Sequence, residues 1–356
     1  MTANSISQVL EKLIRGEDLS DSEATEMATL LSTNKLSPAQ TSALLVLLRV
    51  KGENESEVAA MALAMRKLAI QPSQPSPSSV PLVDIVGTGG DGHDTVNFST
   101  AAAVVAAACG ARVAKHGNRS ASSKSGSADV LEVLGVPMLA PELIGECIDR
   151  CGIAFLYAPY FHPALAALAP TRKELGIKTV FNILGPLMNP AQPRRMVLGV
   201  NSPKLLPVYA GAICKLGIAD HALVVHCGGL DELAMVAESQ MVEINAKQER
   251  ETKLLPLLVE PACTLIDLKG GDAQYNAGVI CKLLGGDKQG LEEFPHCFNT
   301  IALNAGATLY VSGLADSIPH GFQLAGEAMR SGRALEKLQQ WSQVANELDT
   351  RKKQKQ

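Results

Sequence analysis

The chain has 356 residues, of which 46% are hydrophobic and 19% charged, and its formal net charge is −4. That balance is ordinary for a soluble globular protein, and with no basic stripe it argues against nucleic acid as the main partner. No apolar run is long enough to span a bilayer, so no membrane is expected. The length suggests one large domain plus a smaller one. The eight cysteines are scattered, and Cys147 and Cys151 have no second Cys/His pair at metal spacing. The expectation is therefore reduced thiols in a cytoplasmic protein. The N-terminal stretch contains acids and no cleavage-site pattern, which points the same way.

Four short helices are predicted in the first seventy or so residues. Ser20-x-x-Glu23, Ser37-Pro38-x-Gln40 and Asn54-x-x-Glu57 each read as a capping signal ahead of apolar residues at helical spacing. "QPSQPSPSSVP", residues 71–81, breaks any helix and marks a linker. Beyond it the pattern changes. "LVDIV" is a buried strand, "STAAAVVAAACG" a helix ending at Gly110, and "ARVAKHG" a second strand. "IAFLY", "RMVLGV" and "HALVVHCG" are later strands, with helices between them such as "PKLLPVYAGAICKLG". Alternation of this kind implies an α/β domain with a mostly parallel sheet flanked by helices. From residue 273 onward the reading is mostly helical, and the last residues, 349–356, read as a solvated, disordered tail. The expected division is a helical domain over 1–72 and an α/β domain over 82–348.

The chemistry concentrates at predicted strand ends. Gly87-Thr88-Gly89-Gly90-Asp91-Gly92 fits G-x-G-x-x-G after a strand, which suits a dinucleotide turn or simply a tight turn. The second strand ends in Lys115-His116, where a dinucleotide fold wants an acid, and no Walker lysine follows. "KHGNRSASSKSGSAD", residues 115–129, sets Lys115, Arg119 and Lys124 among serines and glycines. Small residues with exposed N–H groups and nearby cations form an anion site. The first loop is acidic and the second basic. Acids and phosphates share a pocket when a divalent cation lies between them, and magnesium commonly bridges carboxylates to a diphosphate. Ser99, at the mouth of the alanine helix, offers a further oxygen. Asp231-Glu232, after "HCGGL", is an exposed acidic turn or a cation site at another strand end. Arg172-Lys173 stands in the stretch 161–191 as a surface pair or as a partner for an organic carboxylate.

"GTGGD", "NFST", "KHGNR..SS.SGSAD", "HPA", "TRKELGI.T.FN.LGPL.NP" and "GGLDE" occur in that order. Joined, they resemble the anthranilate phosphoribosyltransferase family, from about residue 5 to about residue 345. The resemblance implies a small all-helical domain plus an α/β domain with a mostly parallel sheet, as in the pyrimidine nucleoside phosphorylases, and a homodimer formed through the helical domain. It implies that helices from residues 160–190 join the helical domain. It also implies the reaction: the amine of anthranilate attacks C1 of 5-phosphoribosyl 1-diphosphate, and diphosphate leaves.

Position by position, the resemblance assigns 5-phosphoribosyl 1-diphosphate to Gly87, Gly90, Asp91, Thr95, Asn97, Phe98, Ser99 and Thr100. In the second loop it adds Lys115, His116, Gly117, Asn118, Arg119, Ser120, Ala121, Ser122, Ser123 and Ser127. Anthranilate is assigned to Gly87, Asn118, Arg172 and His116. Magnesium, up to two ions per subunit, is assigned to Ser99, Asp231 and Glu232. No general base is assigned, because the aniline proton becomes acidic only once the C–N bond has formed. Two positions depart from the family pattern: Met188 stands where threonine is common, and Cys227-Gly228-Gly229 precedes Leu-Asp-Glu. The "KHSTGG" element of the nucleoside phosphorylases is absent.

Overall fold

The computed structural model describes residues 3–120, 123–259 and 262–354. Four helices come first: α1 (Ala3–Ile14), α2 (Asp21–Ser32), α3 (Pro38–Lys51) and α4 (Glu55–Leu68). The last three open with reciprocal caps. Ser20, Ser37 and Asn54 accept from the backbone N–H of Glu23, Gln40 and Glu57, whose side chains return the bond. Each cap satisfies orphan donors of the first turn and so fixes where the helix starts. Glu57 does more than cap. It is fully buried and also accepts from Leu19 N at 2.8 Å and Lys51 Nζ at 2.7 Å.

Residues 69–81 form no helix or strand, but they are strapped down. Ser76 donates from its N–H and hydroxyl to Asp149, and Ile70 N donates to Phe161 O at 2.8 Å. The larger domain then begins. Its first half contains β1 (Leu82–Gly87), α5 (Phe98–Ala108), β2 (Arg112–Gly117), α6 (Ser127–Val133), α7 (Ile144–Cys151) and β3 (Ile153–Tyr157). Three short helices follow, α8 (Ala158–Phe161), α9 (Ala169–Leu175) and α10 (Phe181–Leu184). Then come β4 (Arg195–Gly199), α11 (Leu205–Leu216), β5 (His221–His226), β6 (Ser239–Asn245) and β7 (Arg250–Leu255). The chain closes with α12 (Ala273–Leu284), α13 (Lys288–Glu293), α14 (Pro295–Ser312), α15 (Ile318–Arg330) and α16 (Arg333–Lys353).

The seven strands form one sheet in the order β3-β2-β1-β4-β5-β6-β7. The first five are parallel, and β6 and β7 add an antiparallel hairpin. Strand order reverses between β1 and β4, and a crevice at such a switch point is where open α/β sheets take ligands. In β1 and β4, Gly87 pairs with Gly199, so both strands end in glycine side by side. Alanine-rich α5 is buried almost throughout and packs against α14, α15 and α16. Its small side chains let three helices approach one axis.

Two apolar cores result. One fills the space around α5, α14 and strands β1–β3. The other joins α1–α4 to α11, to Met196, Leu198 and Val224 of the sheet, and to Leu168, Val180, Phe181, Leu184 and Leu187. The segment from 163 to 187 thus packs with the N-terminal helices, and Arg66 of α4 donates to Leu187 O at 3.2 Å.

One element went unsignalled and one expectation needs correction. The sequence pattern does not signal the hairpin β6–β7, because most of β7 is exposed and its "RETKLL" alternates too weakly to read as a strand. Residues 349–353 are not a disordered tail but the end of α16. Leu348 is buried, and Arg351 and Lys352 reach Glu146 and Glu142 across the domain surface.

Candidate active site

A cleft of about 620 Å³ opens at the carboxyl ends of β1, β2 and β5. One wall consists of the loops that follow those strands, and the other of residues between Ala158 and Met188. The first loop is shaped by glycines in the left-handed region, with φ of +68° at Gly89 and +69° at Gly90. Only glycine takes such angles without strain. Gly87 and Gly199 matter for a different reason. A Cβ on either would run into Asp231, so their bare backbone lets that residue lie across the strand ends.

Asp231 is buried, and its Oδ2 accepts from Gly89 N at 2.6 Å. Glu232 accepts from Ser99 N at 3.1 Å through Oε1. Lys115 is 1% exposed and donates to Ile85 O at 2.7 Å and to Ser99 Oγ at 3.2 Å. Beneath it lies Asp84, buried and hydrogen-bonded to His116 N and to Asn189 Nδ2. The acids outnumber the cation. Asp84, Asp231 and Glu232 surround a single buried lysine, and burial disfavours their charged forms. Burial and the neighbouring Asp91 push the Asp231 carboxyl up to about 6. Burial and the charge of Asp231 push Glu232 up to about 8. Lys115 is pulled below its ordinary value by burial, against the attraction of Asp84, Glu232 and Asp231.

This donor set fits a hard divalent cation. Two carboxylates and the Ser99 hydroxyl offer oxygens only, and Lys115 is the one buried cation set against Asp84, Asp231 and Glu232 among the described residues. Among the described residues no three His, Cys, Asp or Glu side chains close around one point. A cation here therefore keeps part of its shell for water and ligand oxygens, the usual habit of magnesium.

The opposite wall is more apolar. The His116 and His162 rings meet edge to face, 5.3 Å between centroids. His116 Nδ1 faces Gly185 O at 3.3 Å and His162 bonds the Met188 backbone, while both Nε2 atoms are buried and unpartnered. Burial, helped by the neighbouring imidazole, lowers His116 to about 3, and burial lowers His162 to about 4, so both rings are neutral. Arg172 stacks 5.3 Å over the Phe181 ring. Among the described residues its guanidinium has no carboxylate partner, although it lines the cleft.

Residues 79–335 match the model described as "Glycosyl transferase family, a/b domain", and residues 7–69 match its "helical bundle domain". The anthranilate phosphoribosyltransferase of Chromobacterium violaceum is 43% identical over 342 residues, covering 95% of this chain and 97% of that protein. The chain belongs to the anthranilate phosphoribosyltransferase family. Among solved structures, the family's enzyme from Thermus thermophilus matches with a TM-score of 0.83 at 43% identity, covering 95% of this chain and 99% of that one. The Saccharomyces cerevisiae enzyme, solved with PRPP and Mg, matches with a TM-score of 0.87 at 26% identity over 97% of this chain and 99% of that one.

Set against the family's motifs, the cleft collects most of the residues named from sequence. Gly87, Gly90, Asp91, Thr95, Asn97, Ser99, Lys115, His116, Gly117, Asn118, Arg119, Ser120, Ser123, Ser127, Arg172, Asp231 and Glu232 all line it. Ala121 and Ser122 lie outside the described residues. Phe98 and Thr100 do not line the cleft. Both are buried, Phe98 in the apolar core, because the first turn of α5 rotates them away from Ser99.

Three roles differ from expectation. Lys115 is an internal counter-charge and not an exposed phosphate cation. Arg119 is claimed by Asp129 at 2.8 Å and Glu132 at 2.5 Å, one turn apart on α6. Asn97 works as a staple: its side chain bonds Ser125 O at 3.1 Å and Asn276 Nδ2 at 2.9 Å, which joins the two loops to α12. The sequence reading missed His162, Phe181, Asp94 and Ser125 as lining residues. The quoted motifs carry His162 in "HPA", Phe181 in "T.FN" and Ser125 in "SGSAD", and only Asp94 has no motif to mark it.

Proposed function

We propose that the chain transfers the phosphoribosyl group of 5-phosphoribosyl 1-diphosphate to the amine of anthranilate, giving N-(5-phosphoribosyl)anthranilate and diphosphate in tryptophan biosynthesis. The observation that carries this reading is one cleft with two unlike ends. A carboxylate pair short of positive charge sits at the strand ends, and a guanidinium with no carboxylate partner among the described residues stacks over an aromatic ring on the opposite wall.

The aniline nitrogen attacks C1 as the C1–O bond to diphosphate breaks, through a transition state of oxocarbenium character. Magnesium, when bound, supplies positive charge to the departing diphosphate. Ser99, Asp231 and Glu232 would hold it, with up to two ions per subunit. Backbone N–H groups of the Gly87–Asp91 loop and the serines of the second loop bind phosphate oxygens. Arg172 grips the anthranilate carboxylate, and Gly87, Asn118 and His116 border the ring. The adduct's proton leaves after the C–N bond forms. Among the described residues Nε2 of His116 and Nε2 of His162, both on residues that line the cleft, have no hydrogen-bond partner. Neither needs to be a strong base.

The test is the loss of anthranilate fluorescence on mixing with magnesium and 5-phosphoribosyl 1-diphosphate. A fluorescence signal that stays constant at high enzyme concentration refutes the assignment. The family resemblance and the exposed Ile14 and Val50 on α1 and α3 support a homodimer through the helical domain. A monomeric mass by light scattering would sink that part. The eight free cysteines support a cytoplasmic location, which fractionation of cells would check.

A further inference from the structure

The first loop presents its backbone in a particular way, and two side chains outside the cleft account for it. Asn201, just beyond the end of β4, donates from Nδ2 to Gly89 O at 2.6 Å, and its own N–H reaches Thr88 Oγ1 at 3.3 Å. Lys178, between α9 and α10, donates from Nζ to Gly90 O. Neither residue lines the cleft, whereas Gly89, Gly90 and Asp91 do. Both stand on one side of Gly90: a Cβ there would lie 3.2 Å from Lys178 Cε and 3.8 Å from Asn201 Nδ2. Among the described residues Lys178 pairs with no carboxylate, so the Gly90 carbonyl is its one bonded partner.

A trans peptide is planar, and its C=O and N–H point in opposite directions. Holding Gly89 C=O on the outside turns the Gly90 N–H inward, and holding Gly90 C=O outside turns the Asp91 N–H inward. Neither N–H donates to any group among the described residues, although Thr88 N and Gly89 N on the same loop are engaged by Gly199 O and Asp231. Both glycines have positive φ, so these peptides have few other restraints, and without the two donors they are free to rotate. We propose that Lys178 and Asn201 are positioning residues for diphosphate: they pin the Gly90 and Gly89 carbonyls outward so that the Asp91 and Gly90 N–H groups face the anion. The inference rests on the reading above that this loop takes the diphosphate. Lys178 shares its segment with Arg172 at one end and Phe181 at the other, so the same wall that lines the acceptor side also sets the donor loop.

The test uses the full chain with magnesium. Binding of 5-phosphoribosyl 1-diphosphate is measured by calorimetry without anthranilate, so the result does not depend on the identity of the acceptor. Lys178→Met and Asn201→Ala should each weaken that binding about tenfold, the worth of one well-placed hydrogen bond. The KM for anthranilate should move less than about twofold and Tm should hold, since each side chain serves only the loop. The double variant should lose less than the product of the two single losses, because both act on one pair of peptides. Lys178→Arg keeps an outer donor and should restore most of the affinity. Asn201 is uncharged, so a matching loss there excludes simple attraction by the Lys178 ammonium. Unchanged affinity in Lys178→Met overturns the proposal. So does a loss confined to Lys178→Met, or a rise in both KM values accompanied by a fall in Tm.

Discussion

Removing the Arg172 guanidinium separates the two substrates more cleanly than any other change in the cleft. The group lines the cleft, stacks on Phe181 and has no carboxylate partner among the described residues. It is also partly withdrawn from water, which lowers its pKa below the ordinary arginine value while leaving it charged. A partly desolvated cation binds a carboxylate more strongly than a surface one, and a guanidinium does so with two parallel hydrogen bonds. Losing a charge-assisted contact of this kind costs roughly 1.5–3 kcal/mol, or about ten- to a hundredfold. Arg172→Ala should raise the KM for anthranilate by that factor and change the KM for 5-phosphoribosyl 1-diphosphate less than about twofold. Arg172→Lys should recover little, because a point charge cannot copy the fork. Stability should change little, since among the described residues no ion pair is broken, although the contact with Phe181 is lost. The assay is the initial rate of fluorescence loss with each substrate varied in one preparation, beside a thermal melt. If both KM values rise together, Arg172 holds α9 in place and does not grip anthranilate. If only the value for 5-phosphoribosyl 1-diphosphate rises, the acceptor side has been assigned to the wrong wall.

The buried imidazoles of His116 and His162 give a pH dependence. Their pKa values are lowered in the fold, to about 3 and about 4, so the unfolded chain binds protons that the native state refuses. Stability should therefore fall as pH drops below about 6.5, by about 1.4 kcal/mol per histidine per pH unit. Asp231 and Glu232, with raised values, act in the opposite sense, so the informative quantity is the slope of His162→Gln relative to the parent protein. An identical slope refutes the assignment of a neutral, buried His162. Because Glu232, pushed up to about 8, holds a proton near neutrality, magnesium binding should release it, seen as calorimetric heats that change with the buffer's ionisation enthalpy. Gly199→Ala should displace Asp231 and cut turnover by about a hundredfold, since its Cβ would fall 2.5 Å from the Asp231 carbonyl carbon. By contrast, Gly278→Ala in α12, with open space around it, should add about 0.5–1 kcal/mol of stability.

Local signals were readable in the sequence. The caps at Ser20, Ser37 and Asn54 depend on residues three apart, and the glycine loops sit directly after strands. What could not be read was orientation. "NFST" is contiguous in sequence, but a helix turns about 100° per residue, so Ser99 faces the cleft while Phe98 and Thr100 face the interior. Arg119 looked like a phosphate cation because its captors, Asp129 and Glu132, lie ten and thirteen residues on and become neighbours only once α6 forms. The burial of Lys115 depends on β1 lying beside β2, which brings the Ile85 carbonyl within reach of its ammonium. His162 and Phe181 enter the site from a segment that the fold carries back across the strand ends.

The Lys115 arrangement also explains why acid and phosphate coexist in one loop. Had Lys115 been exposed, it would bind phosphate directly and the acids nearby would repel the same ligand. Buried, it neutralises only part of the charge that Asp84, Asp231 and Glu232 carry once all are ionised, and the remainder would face the cleft. A divalent cation held by Asp231, Glu232 and Ser99 would offset that remainder and would supply the positive charge that a diphosphate needs beside carboxylates. The order of events follows from the charges: metal first or metal together with diphosphate, never the free anion alone. Donor binding measured with and without magnesium tests this directly, because equal affinity in a metal-free solution would mean that the acids are protonated spectators.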